Sequence, residues 1–288
     1  MKKLYEKERD SLLELIEQNT LSQGKKEYHA KTIISGNQVE VQIYELWPTG
    51  CAGRGRGEKL TRQRQEKLNL RHRQERIVRL INANFTDHDT WLTLTYDDKY
   101  LPATEEEAAR NIRNYINRVK YKFGNVKYIY ATEYGEGRVH HHVILNVRAR
   151  DELEDLWAPA SERARKRKNP RYTVKRYGRT QARRMQSDDF GFTGMARYVT
   201  KESKKNKKSF VPSTNLTQPT ERKTKTLRGR QLTNRFVKKL AEDKAAAKME
   251  FLKLFPDCQF NDVDVRQTPY TRGYYIYARL KIINDSGG

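Results

Sequence analysis

Polar and apolar residues alternate from Thr90 to Tyr96 (Thr-Trp-Leu-Thr-Leu-Thr-Tyr), the pattern of a half-buried strand. Pro102, Thr104 and the acidic triplet Glu105–Glu107 then open a helix that runs to about Phe123, with Gly124-Asn125 as its stop. Val126–Glu133, rich in Val, Ile and Tyr, predicts a second strand, Tyr134–Arg138 a glycine-containing turn, and Val139–Val147 a third strand. This β-α-β-β order predicts an α+β domain on a central antiparallel sheet flanked by helices.

Before it, residues 1–20 carry an apolar stripe of Leu4, Leu12, Leu13, Leu15 and Ile16 and read as an amphipathic helix. Tyr28–Ile34 and Gln38–Leu46 flank Ser35-Gly36-Asn37 as a hairpin, Pro48–Gly57 is a loop, and Glu58–Asn84 is a long helix with a thin apolar face. After the core, Arg150–Trp157 reads as helical, Pro159–Asp189 as basic and irregular, and Gly191–Ser203 as holding a short helix. Lys204–Arg230, broken by Pro212 and Pro219, reads as a linker or arm. Thr233–Phe255 is rich in helix formers, and Asp262–Ile283 is a hairpin turning at Pro269–Gly273. The expected division is 1–84 (helix, hairpin and basic helix, packed on the core domain), 85–210 (the core domain) and 211–288 (arm, helix and hairpin).

Charge changes this picture. Lys and Arg number 59 against 36 Asp and Glu, a net charge of +23. Residues 54–79 hold a net +7 and residues 161–210 a net +13, so two stretches contain almost all the excess. Such concentration points to a polyanionic partner. The candidate phosphate contacts are Arg54, Arg56, Arg62, Arg64, Arg71, Arg73, Arg138, Arg163, Lys166, Lys175, Arg176, Arg183, Arg184 and Arg197, with Tyr172, Tyr177 and Phe190 as candidate stacking residues. No apolar run can span a bilayer, the first residues lack a signal-peptide core, and Cys51 and Cys258 make neither a disulfide framework nor a metal spacing. A reducing, cytoplasmic setting is expected.

Two constellations carry chemistry. His140, His141 and His142 are consecutive, so on a strand His140 and His142 share a face and His141 takes the other. A turn centred between Glu136 and Gly137 sets Glu133 opposite His140, giving two nitrogens and one carboxylate for a divalent metal. Without Glu133 the same histidines would read as a surface turn. On a helix, Tyr198 and Lys201 share a face, and a neighbouring cation favours the phenolate that can attack phosphorus. In isolation a Tyr-x-x-Lys is ordinarily a core tyrosine beside a solvated lysine.

Together these motifs resemble the HUH endonucleases, in particular single-tyrosine rolling-circle replication initiators. Arg138–Leu145 looks like that family's His-hydrophobic-His strand, although His141 replaces the usual apolar middle residue. Thr93-Leu94-Thr95-Tyr96 resembles the first motif strand, Ala131–Gly135 the segment carrying the acidic ligand, and Tyr198-Val199-Thr200-Lys201 the tyrosine motif. Weaker similarity extends to Phe210–Leu216 and Tyr274–Leu280. Gly194 stands where some relatives carry a second tyrosine. The resemblance implies Mg²⁺ or Mn²⁺ on His140, His142 and Glu133, Tyr198 as nucleophile assisted by Lys201, and nicking and religation of single-stranded or hairpin origin DNA through a 5′-phosphotyrosine. No G-x-x-x-x-G-K-[ST] occurs, so a helicase, like the polymerase, would come from the host. The chemistry also suits a transposase or conjugative relaxase of that class. A non-catalytic nucleic-acid-binding module is the alternative of another class, and zinc-dependent hydrolysis lacks its usual ligands.

Overall fold

The computed structural model describes residues 27–46, 62–134, 138–200, 210–267 and 273–283, with the backbone alone at 64 and 197–200. The expected helix over 1–20, the loop over 48–57, and Arg54 and Arg56 lie outside the described residues. The chain forms two units, one from Thr61–Gln218 and the other from Met1–Leu60 with Pro219–Gly288. This differs from the expected division at 84 and 210. The N-terminal hairpin joins the C-terminal segment, and the basic helix belongs to the central unit.

In the central unit, helix α1 (Arg62–Asn84) is followed by strand β3 (Thr90–Leu94), helix α2 (Glu105–Phe123), β4 (Tyr128–Glu133) and β5 (His140–Leu145). The predicted β-α-β-β order is therefore present. Thr104 caps α2 by accepting from the Glu107 amide at 3.2 Å, and Gly124 ends it at φ 79°. Helices α3 (Arg150–Asp155) and α4 (Ala160–Lys168), strand β6 (Thr180–Arg184), helix α5 (Thr193–Thr200) and the short β7 (Val211–Pro212) complete the unit. The sheet is antiparallel in the order β6-β3-β5-β4-β7, which leaves the histidine strand central.

Two sets of side chains cover this sheet. On one face Leu92, Leu94, Val143 and Leu145 pack with Ile112, Tyr115, Ile116 and Val119 of α2 and with Trp157. On the other, Ile129, Ala131 and Ile144 cluster with Ile77, Leu80 and Ile81 of α1 and with Phe192 and Ala196 at α5. Only the C-terminal part of α1 contributes to this cluster, as its thin apolar face predicts. Gly178 is required where the chain enters β6, because an added Cβ would lie 2.6 Å from the Tyr96 backbone.

The irregular reading of Pro159–Asp189 missed α4 and β6. The sequence Thr-Gln-Ala-Arg-Arg has one apolar residue, and pairing makes it a strand, with Thr90–Leu94 opposite Arg184–Thr180. Glu154 assists by accepting from the Ala182 amide at 2.9 Å and the Thr180 hydroxyl at 2.9 Å. The linker reading of Lys204–Arg230 also gives way where residues are described. Val211–Pro212 adds to the sheet edge beside β4, a position where proline needs to donate no ladder bond.

The second unit has β1 (Glu27–Ser35), β2 (Gln38–Leu46), β8 (Thr220–Thr224), the two-stranded β9 (Thr226–Leu227) and β10 (Arg230–Gln231), α6 (Asn234–Glu242), α7 (Lys244–Leu254), β11 (Cys258–Gln267) and β12 (Tyr274–Ile282). Its antiparallel sheet runs β11-β12-β2-β1-β8. Phe236, Val237 and Leu240 of α6 and Phe251 of α7 pack on Ala30, Val41, Ile43 and Ala278. The single helix expected over Thr233–Phe255 divides at Asp243, whose carboxylate accepts from the Ala245 and Ala246 amides and caps α7. No helix among the described residues is long and apolar enough to cross a membrane.

Candidate metal centre and nucleic-acid interface

The β4–β5 register places Glu133 opposite His140 and Ala131 opposite His142, while β3 places Thr93 opposite His142. Directly paired residues of an antiparallel sheet share a face. Glu133, His140 and His142 therefore project from the face that carries α1 and α5, and each offers one ligand atom within 4.8 Å of the others. The Glu133 Oε2 lies 2.6 Å from His140 Nε2 and 3.2 Å from His142 Nε2. The two imidazoles meet edge to face at 4.9 Å. Burial graduates across the site: the His142 side chain is 5% exposed, Glu133 20% and His140 27%, so the site opens on the His140 side.

Hydrogen bonds orient these rings. His140 Nδ1 lies 3.1 Å from the Arg138 carbonyl, which can only accept, so Nδ1 carries the proton. Nε2 is then the ring atom that faces the Glu133 carboxylate. Two acceptors cannot share that approach without a cation between them, whether a proton or a metal ion. His142 Nδ1 meets the Thr93 hydroxyl at 3.3 Å, and burial, with the nearby His140, pushes the His142 pKa down to about 4. Its ring is thus neutral near pH 7, the state a metal ligand needs. The set can hold a divalent ion and leaves coordination positions for other ligands.

His141 points through the sheet into the α2-side core, fully buried beside Trp157 and Tyr96. Its Nε2 lies 2.9 Å from the Tyr96 hydroxyl and its Nδ1 2.8 Å from the Thr132 hydroxyl. Burial, reinforced by His140 and His142, pushes its pKa down to about 3. A neutral imidazole with both nitrogens satisfied replaces the apolar middle residue. His141→Ala should consequently damage the fold while sparing the metal ligands. We expect a loss of about 2–4 kcal/mol in urea denaturation from the cavity and two stranded hydroxyls, with Mn²⁺ stoichiometry unchanged at low temperature. A stable His141→Ala protein that no longer binds Mn²⁺ would put the ligand assignment on the wrong face.

Helix α5 shares the side of the sheet that carries Glu133, His140 and His142, through Ala196 and Phe192 in the same apolar cluster as Ile144 and Ala131. The Tyr198 and Arg197 backbones lie in this helix, and Lys201 lies outside the described residues. β3, the histidine strand and α5 are the elements on which a comparison with known proteins bears. Residues 89–207 match the family model for the replication-associated protein ORF2 family. The match runs from the start of β3 through α5 and spans less than half of the chain. No curated protein and no solved structure matches the chain.

Within and beside the stretch similar to replication-associated proteins, the basic candidates divide by environment. Arg73, Lys175, Arg183 and Arg184 are exposed, whereas Lys166 is half-buried, and Arg183, opposite Trp91, lies on the same face of the sheet as Glu133, His140 and His142. Arg62 and Arg71 form exposed ion pairs with Glu66 and Glu75 one turn on; these weak contacts are readily exchanged for phosphate. Arg64 lies in α1 by its backbone. Arg138 pairs with Asp98 at 2.5 Å and donates to the Tyr96 carbonyl, which steadies the carbonyl-bearing residue of the His140 contact. Arg163 donates to the Ala158 carbonyl at 3.1 Å.

Arg176 is engaged elsewhere, bridging Glu154 at 2.5 Å and Asp155 at 3.0 Å while donating to Thr180. Arg176→Gln should lower stability by about 1–3 kcal/mol, read in urea, by leaving Glu154 undercompensated at the β6 edge. Unchanged stability with weakened DNA binding would instead make Arg176 a phosphate contact. Tyr177 packs with Tyr96, Tyr100 and Trp157, so it is a core residue, and the Tyr172 hydroxyl donates to Glu162 at 2.8 Å. Thr93, Tyr96 and Thr132 lie in the two segments that the resemblance picked out from sequence, which gave them no positioning role. Parity along Thr90–Tyr96 carries the signal for Thr93, which needs only the strand pairing to reach His142.

Proposed function

We propose that the protein is a rolling-circle replication initiator that nicks and religates single-stranded or hairpin origin DNA through Tyr198, with a divalent cation, Mg²⁺ or Mn²⁺, at Glu133, His140 and His142. The observation that carries the reading is the cluster itself: three ligand atoms within 4.8 Å, with one imidazole tautomer set by a backbone carbonyl. The match to replication-associated proteins and the position of α5 on the same side of the sheet support it.

When bound, the cation supplies Lewis-acid polarisation of a phosphate oxygen. The Tyr198 phenol passes its proton to solvent water, and its oxygen attacks phosphorus. The new O–P bond forms as the bond to the 3′ oxygen breaks, and that oxygen leaves with a proton as a 3′-hydroxyl able to prime synthesis. Lys201 stabilises the developing charge or supplies that proton. The phosphotyrosine conserves one phosphodiester's bond energy, so resealing requires no nucleotide triphosphate. The exposed cations of α1, with Lys175, Arg183 and Arg184, hold the strand through its phosphates. Host helicase and polymerase would act downstream of the nick.

The test uses the full-length protein, Mn²⁺ and single-stranded oligonucleotides tiled across the DNA flanking its own gene. A denaturation-resistant protein–DNA adduct with a matching free 3′-hydroxyl fragment is expected. Salt-sensitive DNA binding with no adduct under Mg²⁺ or Mn²⁺ would favour the non-catalytic binding module.

A further inference from the structure

A cavity of about 640 Å³ lies against the outer side of α2, across the sheet from the metal cluster. Its wall is strongly basic. Arg118, Lys122, Arg163, Lys166 and Arg167 line it with only two acids, Glu152 and Asp155. Those acids have partners already, since Glu152 pairs with Lys122 and Asp155 with Arg176. Neither acid is ion-paired with Arg118, Arg163, Lys166 or Arg167.

The two guanidinium groups are positioned by neutral acceptors. Arg118 Nε donates to the Leu156 carbonyl at 3.2 Å and Arg163 Nε to the Ala158 carbonyl at 3.1 Å. Arg118 Nη2 is buried without a hydrogen-bond partner. Burial, and next the charge of Arg163, draws the Arg118 pKa down, so the two cations destabilise each other as they stand. A buried guanidinium nitrogen with nothing to donate to is costly, and an anion relieves both penalties together. Tyr121, one turn beyond Asn117 on the same helix, borders the cavity and is 94% exposed. An aromatic ring left in water beside an anion-ready pocket suits stacking of a nucleobase.

We propose that this pocket is a second nucleic-acid site, remote from the metal centre, which takes a phosphate at Arg118 and Arg163 and the attached base on Tyr121. It rests on the DNA-binding part of the proposed function and adds a place where the strand is anchored away from the nick. The same phosphate and base are offered by a DNA strand and by a free nucleotide.

Binding of a fluorescein-labelled 15-nucleotide single strand to the full-length protein, by anisotropy in EDTA across a salt series, tests it. Arg163→Gln with Lys166→Gln should weaken binding about tenfold or more at low salt. The log–log salt slope should fall by about 0.7, the value for the one single-strand phosphate the pocket takes. Tyr121→Ala, at an exposed position that cannot disturb the core, should weaken binding with the slope unchanged, because no charge is removed. Equilibrium dialysis with dAMP distinguishes the sources. Saturable dAMP binding lost in these variants, with oligonucleotide affinity intact, would make the natural occupant a free nucleotide. Wild-type affinity for both probes in both variants overturns the pocket. Because EDTA suppresses metal-dependent cleavage, it isolates binding; a wild-type protein that binds the strand in EDTA yet forms no adduct when Mn²⁺ is supplied would sink the nicking reaction and leave the pocket standing.

Discussion

Tyr198→Phe is expected to abolish the covalent protein–DNA adduct, with a fall of at least about 10⁴-fold in its rate of formation, as removal of a catalytic nucleophile typically produces. The substitution keeps the aromatic ring and removes only the oxygen that would bond to phosphorus. Residue 198 lies in helix α5, whose Phe192 and Ala196 are buried with Ile144 and Ala131, so the helix has its own anchorage. Two controls separate chemistry from damage. The urea midpoint should move little, since a phenol-to-benzene change leaves helix propensity almost untouched. Strand affinity and its salt slope should also persist, because phosphate contacts govern both. An adduct surviving in Tyr198→Phe would transfer the nucleophile to another residue. A variant that loses adduct and strand binding together would make Tyr198 part of the DNA platform.

How much of this was legible beforehand follows from which interactions are local. The period-two pattern of Thr90–Tyr96 and the run of histidines define strand faces, and a turn centred between Glu136 and Gly137 then brings Glu133 to His140; all of this is short-range information. The observed pairing of Glu133 with His140 agrees with it. The edge strands were not legible. Thr180–Arg184 and Val211–Pro212 have little strand character, and each exists because a sheet edge offers unpaired amides and carbonyls. The joining of the N-terminal hairpin to the C-terminal one was hidden for a related reason. Val39, Val41 and Ile43 reveal an apolar face, yet Ala278 and Leu280, their partners on β12, stand more than 230 residues away. Burial of His141 was also concealed, since alternation sends it to the far face but cannot supply the Tyr96 and Thr132 hydroxyls that make a histidine acceptable there. Arg176 and Tyr177 look like DNA contacts by composition and are held by Glu154 and Trp157 instead.

Removing the carboxylate from the cluster should have the second largest effect. In Glu133→Ala the two imidazoles remain as ligands and the only negative charge of the cluster is gone. For a hard divalent ion that loss weighs more heavily than a lost histidine. We expect Mn²⁺ affinity, followed by titration calorimetry or the electron paramagnetic resonance of free Mn²⁺, to fall by about 100-fold or more, with adduct formation falling in parallel at fixed metal concentration. Raising Mn²⁺ should restore part of the adduct if affinity is the main defect. Thr93→Val provides the graded comparison. It leaves all three ligands in place and removes the hydroxyl 3.3 Å from His142 Nδ1, so a loss of about 10-fold in affinity is expected. His142→Ala should fall between the two, since Nε2 is one of three donors but carries no charge. If Glu133→Ala binds Mn²⁺ as the wild type does, the short contact between Glu133 and His140 is an ordinary salt bridge with a proton as its cation, and the metal centre must be sought elsewhere.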